Sequence, residues 1–217
     1  MNTLLNHEQL NKQDLPLSNP VHSILRPSLG LILVGFLVAG VLYSAVSVSI
    51  AQLIFPQQAN GSLIELDGRI VGSSLVGQNF VSEQYFHGRP SAVSYNVDGM
   101  AGSNLAVSNP DLQKQIKERT VQFAHNNHIS EQQVPNDMVT ASGSGIDPDI
   151  SPESALLQVK RVAQQRHLSE QQLLSEQQLR DLVQQQIQPA QLGLYGQARV
   201  NVLQLNLALD QLSSTTR

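Results

Sequence analysis

From Pro27 to Ile64 the chain carries no charged side chain, and from Leu29 to about Ile54 it is almost entirely apolar. A helix needs roughly 20 predominantly apolar residues to cross the hydrocarbon core of a bilayer. Leu31-Ile32-Leu33-Val34-Gly35-Phe36-Leu37-Val38-Ala39-Gly40-Val41-Leu42-Tyr43 supplies most of that in one piece. The pattern predicts a polar N-terminal tail over 1–24, one transmembrane helix over 25–55 and a soluble domain over 56–217. A secretory signal has an apolar stretch of only about 7–15 residues with a small-residue cleavage site close behind it, so this run is too long for that reading.

Orientation follows from the flanking charges. Arg26 abuts the start of the span and Lys12 lies upstream, whereas the first basic residue beyond it is Arg69. Basic residues stay on the cytoplasmic side. The expectation is a single-pass protein of the cell inner (plasma) membrane, with its N-terminus cytoplasmic and its domain extracytoplasmic.

The rest of the composition narrows the function classes. Net charge is −4 with Lys and Arg scattered along the chain, which leaves no basic stripe for a nucleic-acid backbone. Cysteine is absent, so disulfides, thiolate metal sites and a catalytic thiol are excluded. The residues beyond the span fit one domain with a single core.

Within that domain, Ser62–Leu66 and Arg69–Ser73 flank Asp67-Gly68, a dipeptide suited to the two positive-φ positions of a type I′ turn, and predict a β-hairpin. Residues 78–108 are dense in Gly, Ser, Asn and Pro and read as a long loop. Asn109-Pro110-Asp111 begins a helix in the expected way, with an N-cap, a proline whose missing N–H costs nothing and an acid at the positive end of the dipole. Leu112, Ile116 and Phe123 mark its inward face. Ser151-Pro152-Glu153 repeats that grammar ahead of Ala155, Leu156, Val159, Val162 and Ala163 at helical spacing. A third helix is expected to reach about Ile187. Leu168–Leu173 and Leu174–Leu179 repeat one hexapeptide, each copy offering a Ser-x-x-Gln capping box. Residues 200–207 alternate apolar and polar with one slip, as a bulged strand leading towards a last helical turn would. The fold class expected is α/β of the α+β type, anchored by the one N-terminal helix.

Chemistry is harder to find. The chain holds neither Gly-x-x-x-x-Gly-Lys-Ser/Thr nor the Asp-Lys-Thr-Gly-Thr of P-type pumps, so any nucleotide is hydrolysed by another chain. His125 and His128 stand three apart, but zinc needs a third protein ligand, and solvated helix-end histidines are the better reading. Ser142-Gly143-Ser144-Gly145 lacks the pattern of a nucleophile elbow, and its glycines read as backbone positions needing positive φ. No catalytic residue and no metal ligand is therefore assigned. The span says more: Gly40, Ser44, Ser47 and Ala51 put small residues on one helix face, where backbones of partner helices approach closely.

Several blocks in order along the chain are similar to one known family. They are Leu25-Arg26-Pro27; Pro56-Gln57-Gln58-Ala59-Asn60-Gly61-Ser62-Leu63-Ile64; Gly77-Gln78-Asn79-Phe80; Tyr85-Phe86-His87-Gly88-Arg89-Pro90-Ser91-Ala92; Gly102-Ser103-Asn104-Leu105-Ala106-Val107-Ser108-Asn109-Pro110; Thr140-Ala141-Ser142-Gly143-Ser144-Gly145-Ile146-Asp147-Pro148; and Asn201-Val202-Leu203-Gln204-Leu205-Asn206-Leu207-Ala208-Leu209-Asp210. Over about residues 25 to 212 the chain resembles the C subunits (KdpC) of Kdp-type potassium-transporting ATPases.

The resemblance implies a non-catalytic accessory subunit that assembles with and stabilises a channel-like potassium-binding subunit and a P-type ATPase subunit within the lipid membrane. It implies no firmly bound cofactor, and ATP only through the partner ATPase. The family is described as a catalytic chaperone raising that subunit's ATP affinity, with Gly102, Ser103 and Asn104 falling in the segment likened to a nucleotide-contacting signature. A domain outside the cytoplasm would not meet ATP, so the topology and the chaperone description pull apart. Gly40, Ser44, Ser47, Ala51 and Arg89 are the candidate subunit-interface residues. Gly88-Arg89-Pro90 sets a permanently charged planar donor beside a rigid turn, fit either for a partner's carbonyls or carboxylate or for holding its own loop. The alternative to an accessory subunit is a free-standing membrane-anchored extracytoplasmic sensor or binding domain.

Overall fold

The computed structural model describes residues 20–168 and 175–215. They belong to two compact units that meet in sequence between Ala59 and Asn60.

The first unit is helical: α1 (Pro20–Gly35), a π-type stretch over Phe36–Leu42, α2 (Tyr43–Ile54) and the single turn α3 (Pro56–Ala59). Gly35 and Tyr43 on either side of the π stretch keep right-handed helical dihedrals, so the helix runs on without a break. Its segment Ile24–Ile54, 31 residues long, is long and apolar enough to cross a membrane. At 1.5 Å per residue that is about 46 Å, more than the ~30 Å hydrocarbon core requires. The helix reaches back to Pro20, so residues 20–24 of the polar tail are helical too.

The second unit mixes helix and sheet, as the α+β expectation requires. Its hairpin joins β1 (Leu63–Leu66) to β2 (Arg69–Ser73). Asp67 and Gly68 adopt φ of 51° and 73°, the two positive values that the turn demands. A bulge lets Ile64 face Gly72 while Glu65 faces Ile70, leaving Val71 as the extra residue.

Helix α4 (Pro110–Asn127) starts where its caps predict, the Asn109 side chain accepting the Asp111 N–H at 2.9 Å. It ends on His128 in the left-handed region. Helix α5 (Pro152–Leu168) follows Ser151, whose hydroxyl accepts the Ser154 N–H at 3.1 Å. Helix α6 (Glu176–Gln185) opens with the Ser175–Gln178 capping box of the second hexapeptide; the first copy, apart from Leu168, lies outside the described residues.

Strands β3 (Asp149–Ile150), β4 (Ile187–Gln188) and β5 (Arg199–Asn201) form an antiparallel sheet in the order β3-β5-β4. The third helix thus stops at Gln185, two residues short of the expectation, because Ile187 pairs with Val200 in this sheet. A larger correction concerns the C-terminal stretch. Only Arg199–Asn201 is strand, and Val202–Thr215 is a full helix, α7. Its buried positions Val202, Leu205, Asn206, Leu209 and Ser213 recur at helical spacing. The polar Asn206 among them, with Gln204 two residues before it, gives residues 200–207 a strand's alternation.

The core lies where α5, α6, α7 and the three-stranded sheet meet: Val159, Val162, Leu179, Val200, Leu205 and Leu209 are fully buried. Phe86, from the middle of the long loop, joins them with no exposure at all. Burying a side chain of that size stabilises by roughly 1.5–3 kcal/mol, so this loop is part of the core.

Candidate functional site

Residues 83–87 begin in a turn closed by the Tyr85 N–H on the Ser82 carbonyl and then run on without regular structure, and side chains, not a neighbouring strand, satisfy most of their backbone. From α7, Asn206 accepts the Phe86 N–H through Oδ1 and donates to the Phe86 carbonyl through Nδ2, both at 2.9 Å. From α5, Gln158 treats His87 the same way, accepting its N–H at 2.8 Å and donating to its carbonyl at 3.1 Å. The buried Arg161 donates to the carbonyls of Glu83 and Tyr85, and Arg166 Nε donates to that of Gln84 at 3.0 Å. Buried backbone polar groups must be paired, and here five consecutive residues are served by side chains from two helices.

The charges of this clamp are matched. Arg166 Nη2 pairs with Asp210 at 2.7 Å and its Nη1 donates to Ser213 Oγ at 2.8 Å. Arg166 also lies over the Tyr85 ring, 5.1 Å from its centroid, while the Tyr85 hydroxyl donates to Asp210. Arg161 Nη1 is 3.2 Å from Glu83 Oε2, an ion pair without hydrogen-bond alignment, since that oxygen has no hydrogen-bond partner. Burial pushes the Arg161 guanidinium below its ordinary value against the pull of Glu83. Burial, with Arg161 nearby, also lowers His87.

Beyond His87 the loop turns at Gly88-Arg89-Pro90. Arg89 Nη1 pairs with Asp147 at 2.8 Å, the Tyr95 hydroxyl donates to the Arg89 carbonyl, and the Pro90 carbonyl accepts the Ser142 N–H at 3.1 Å. Burial, with Asp147 close by, pushes the Tyr95 phenol up to about 12. Of the two readings of Arg89, the structure displays the one in which it ties its own loop to the 142–147 segment; its Nε is buried with no acceptor. Gly145 has φ of +74°, and a Cβ there would lie 2.4 Å from Val93 Cγ2 and 2.7 Å from the Ala101 carbonyl oxygen. Gly143 has open space around it and no positive φ, so the positive-φ requirement holds at Gly145 and not at Gly143.

Of Gly102, Ser103 and Asn104, the first lies against the same segment. A Cβ on Gly102 would be 3.2 Å from the Gly143 carbonyl oxygen, and Asn104 takes a left-handed φ of 53°. Close loop-to-loop approach accounts for this glycine. The next helix start, α4, is capped by Asn109 and carries Asp111 in its first turn, a negative charge at the end of the helix that would otherwise favour an anion. His125 and His128 are both exposed, and among the described residues no group of three or more His, Cys, Asp or Glu is placed to hold a metal ion.

On the N-terminal helix, Gly40 falls in the π stretch and Ser44, Ser47 and Ala51 in α2. Sequence reasoning missed two companions. Gly35 and Ala39, with Ile32, Phe36 and Gly40, line a shallow apolar depression one helical turn earlier. The i, i+4 spacing of Gly35 and Ala39 was the available signal.

The profile of a protein family described as "KdpC: K+-transporting ATPase, c chain" matches residues 25–211. The chain belongs to the KdpC family. Its relatives include a protein from Gemmatimonas aurantiaca named potassium-transporting ATPase KdpC subunit, 48% identical over 195 residues, covering 88% of this chain and 94% of that one. Proteins of the same name from Methylococcus capsulatus and Dechloromonas aromatica are 46% and 45% identical, covering 86% and 88% of this chain and 97% and 98% of theirs. The KdpC match takes in both the apolar helix and the clamped loop.

Proposed function

We propose that this chain, an accessory C subunit of a potassium-transporting ATPase and not its catalytic subunit, joins the complex through its N-terminal helix and presents its domain outside the cytoplasm. The observation that carries this reading is the KdpC match over residues 25–211, which spans helix and domain together. The free-standing sensor finds no support beside it.

In this reading the helix crosses the inner membrane with its N-terminus cytoplasmic, supported by Arg26 and Lys12 before the span and none beyond it before Arg69. Gly40, Ser44, Ser47 and Ala51, extended by Gly35 and Ala39, form the face that meets helices of the channel-like or ATPase subunit. The Gly88-Arg89-Pro90 corner, braced by Asp147, is the part of the domain offered to a partner. Any effect on ATP affinity travels through the helix, since a domain outside the cytoplasm does not meet ATP.

Co-expression with the partner subunits and purification in detergent tests the assembly. The wild-type chain is expected to co-purify, and Gly40→Leu with Ser44→Leu to be lost from the complex while still membrane-inserted; unaltered recovery of the double variant removes the helix face from the proposal. Because the chain has no cysteine, single cysteines placed at exposed domain positions report sidedness through a membrane-impermeant thiol reagent. Labelling in intact spheroplasts is expected, and labelling only after lysis reverses the orientation.

A further inference from the structure

The face of α4 that carries Arg119, Gln122, Phe123 and Asn126, at helical spacing, closes a cavity against Asn79, Phe80, His87, Arg89, Ser91 and Tyr95 of the long loop. In a chain with 17 Asp and Glu and a net charge of −4, none of the residues lining this cavity is acidic, while two are arginines. Neither arginine is saturated. Arg119 gives Nη1 to the Val139 carbonyl at 3.1 Å and Nη2, at a long 3.4 Å, to Gln115, both neutral groups. Arg89 gives Nη1 to Asp147, outside this lining, and its Nε–H is buried without an acceptor. That Nε is sealed from solvent, so a group entering the cavity meets the Arg89 guanidinium through Nη2, which makes no hydrogen bond among the described residues and asks for an oxygen acceptor. The remaining polar lining offers the amides of Asn79, Gln122 and Asn126 and the hydroxyls of Ser91 and Ser94, with Phe80 and Phe123 supplying apolar wall.

We propose that this cavity is a carboxylate-binding site, taking a –COO⁻ group between Arg119 and Arg89. A carboxylate matches the fork of a guanidinium and needs only the few additional amide and hydroxyl donors present. Two sources supply that chemistry: an Asp or Glu side chain of a partner subunit, or a free small carboxylate. The site stands independently of the proposed helix contacts.

The test uses the full chain in detergent, with sodium acetate as the probe against sodium chloride at equal ionic strength. Acetate is expected to raise the thermal unfolding midpoint of the wild-type chain. The shift is expected to vanish in Arg119→Gln, and in Asn126→Asp, which adds a repelling charge should Arg119→Gln fold poorly. A second arm places an amine at the site with Arg119→Lys in the co-expressed complex and treats it with a carbodiimide. A cross-link to another subunit assigns the carboxylate to a partner; an acetate shift without that cross-link assigns it to a free ligand. No acetate shift and no inter-subunit cross-link overturns the proposal.

Discussion

The side-chain amide of Asn206 stands to the backbone of Phe86 as an adjacent strand would, accepting from its N–H and donating to its carbonyl, each at 2.9 Å. One polar side chain thereby lets a long loop deliver a phenylalanine to the core without leaving its buried peptide groups unpaired. Replacing Asn206 by leucine keeps the branched shape, adds some bulk and removes both partners. Each orphaned buried group costs about 1–3 kcal/mol, so Asn206→Leu is expected to destabilise the domain by about 3 kcal/mol in urea unfolding followed by circular dichroism. A loss under about 0.5 kcal/mol would mean that Phe86 is held from elsewhere.

Gly145 and Gly143 make a matched pair. Alanine at Gly145 meets Val93 Cγ2 at 2.4 Å and the Ala101 carbonyl at 2.7 Å in a left-handed backbone. Strain and overpacking together are expected to cost on the order of 3 kcal/mol. Alanine at Gly143 enters open space and is expected within about 0.5 kcal/mol of wild type. Equal thermal midpoints for the two variants would refute the assignment.

Tyr95 is expected to ionise late, near pH 12, because its phenol is buried and Asp147 is close. Phenolate absorbance followed against pH is expected to lose its step near pH 12 in Tyr95→Phe. The same variant leaves the Arg89 carbonyl without its phenolic donor and is expected to lose about 1–2 kcal/mol of stability.

His87 titrates below its ordinary value of 6.5 in the folded domain, chiefly because it is buried, with Arg161 adding to the shift and the Ser82 carbonyl and Glu83 opposing it. The unfolded chain binds the proton first as pH falls, so stability on account of His87 is full above pH 6.5 and declines from there through the lowered folded value. His87→Gln is expected to unfold with less pH dependence between about pH 7.5 and 5. Its clamp to Gln158 uses only backbone groups of residue 87 and survives the change. Parallel pH profiles for variant and wild type would rule this out.

Features that depend on local chemistry were readable from the residues: the Asp67-Gly68 turn, the Asn109 and Ser151 starts of α4 and α5, and the anchoring helix. What escaped depends on partners distant in sequence. Asn206 is inside α7 because Phe86 needs it, so the helix carries a polar residue on its core face and imitates a strand. Gln158, Arg161 and Arg166 are likewise buried polar residues on α5, each serving the backbone of residues 83–87. The loop itself reads as uncommitted chain because its pairing groups are side chains elsewhere. The Gly-Arg-Pro corner marks Arg89 as a fixed donor, but nothing local to it points to Asp147, 58 positions on, as its partner.

The Asn206–Phe86 pairing also sets a timetable. The two residues are 120 positions apart, so a ribosome working at 5–20 residues per second needs about 6–24 s after Phe86 before Asn206 exists. Until α7 emerges, the peptide groups of Phe86 lack their partner and its ring lacks a complete core, although α5 can already serve residues 83–85 and 87. The chain commits its apolar N-terminal helix long before the domain can close, and α7, 120 positions after the loop it pins, completes the clamp. Truncation within α7 is therefore expected to yield an inserted but unclosed, protease-sensitive domain.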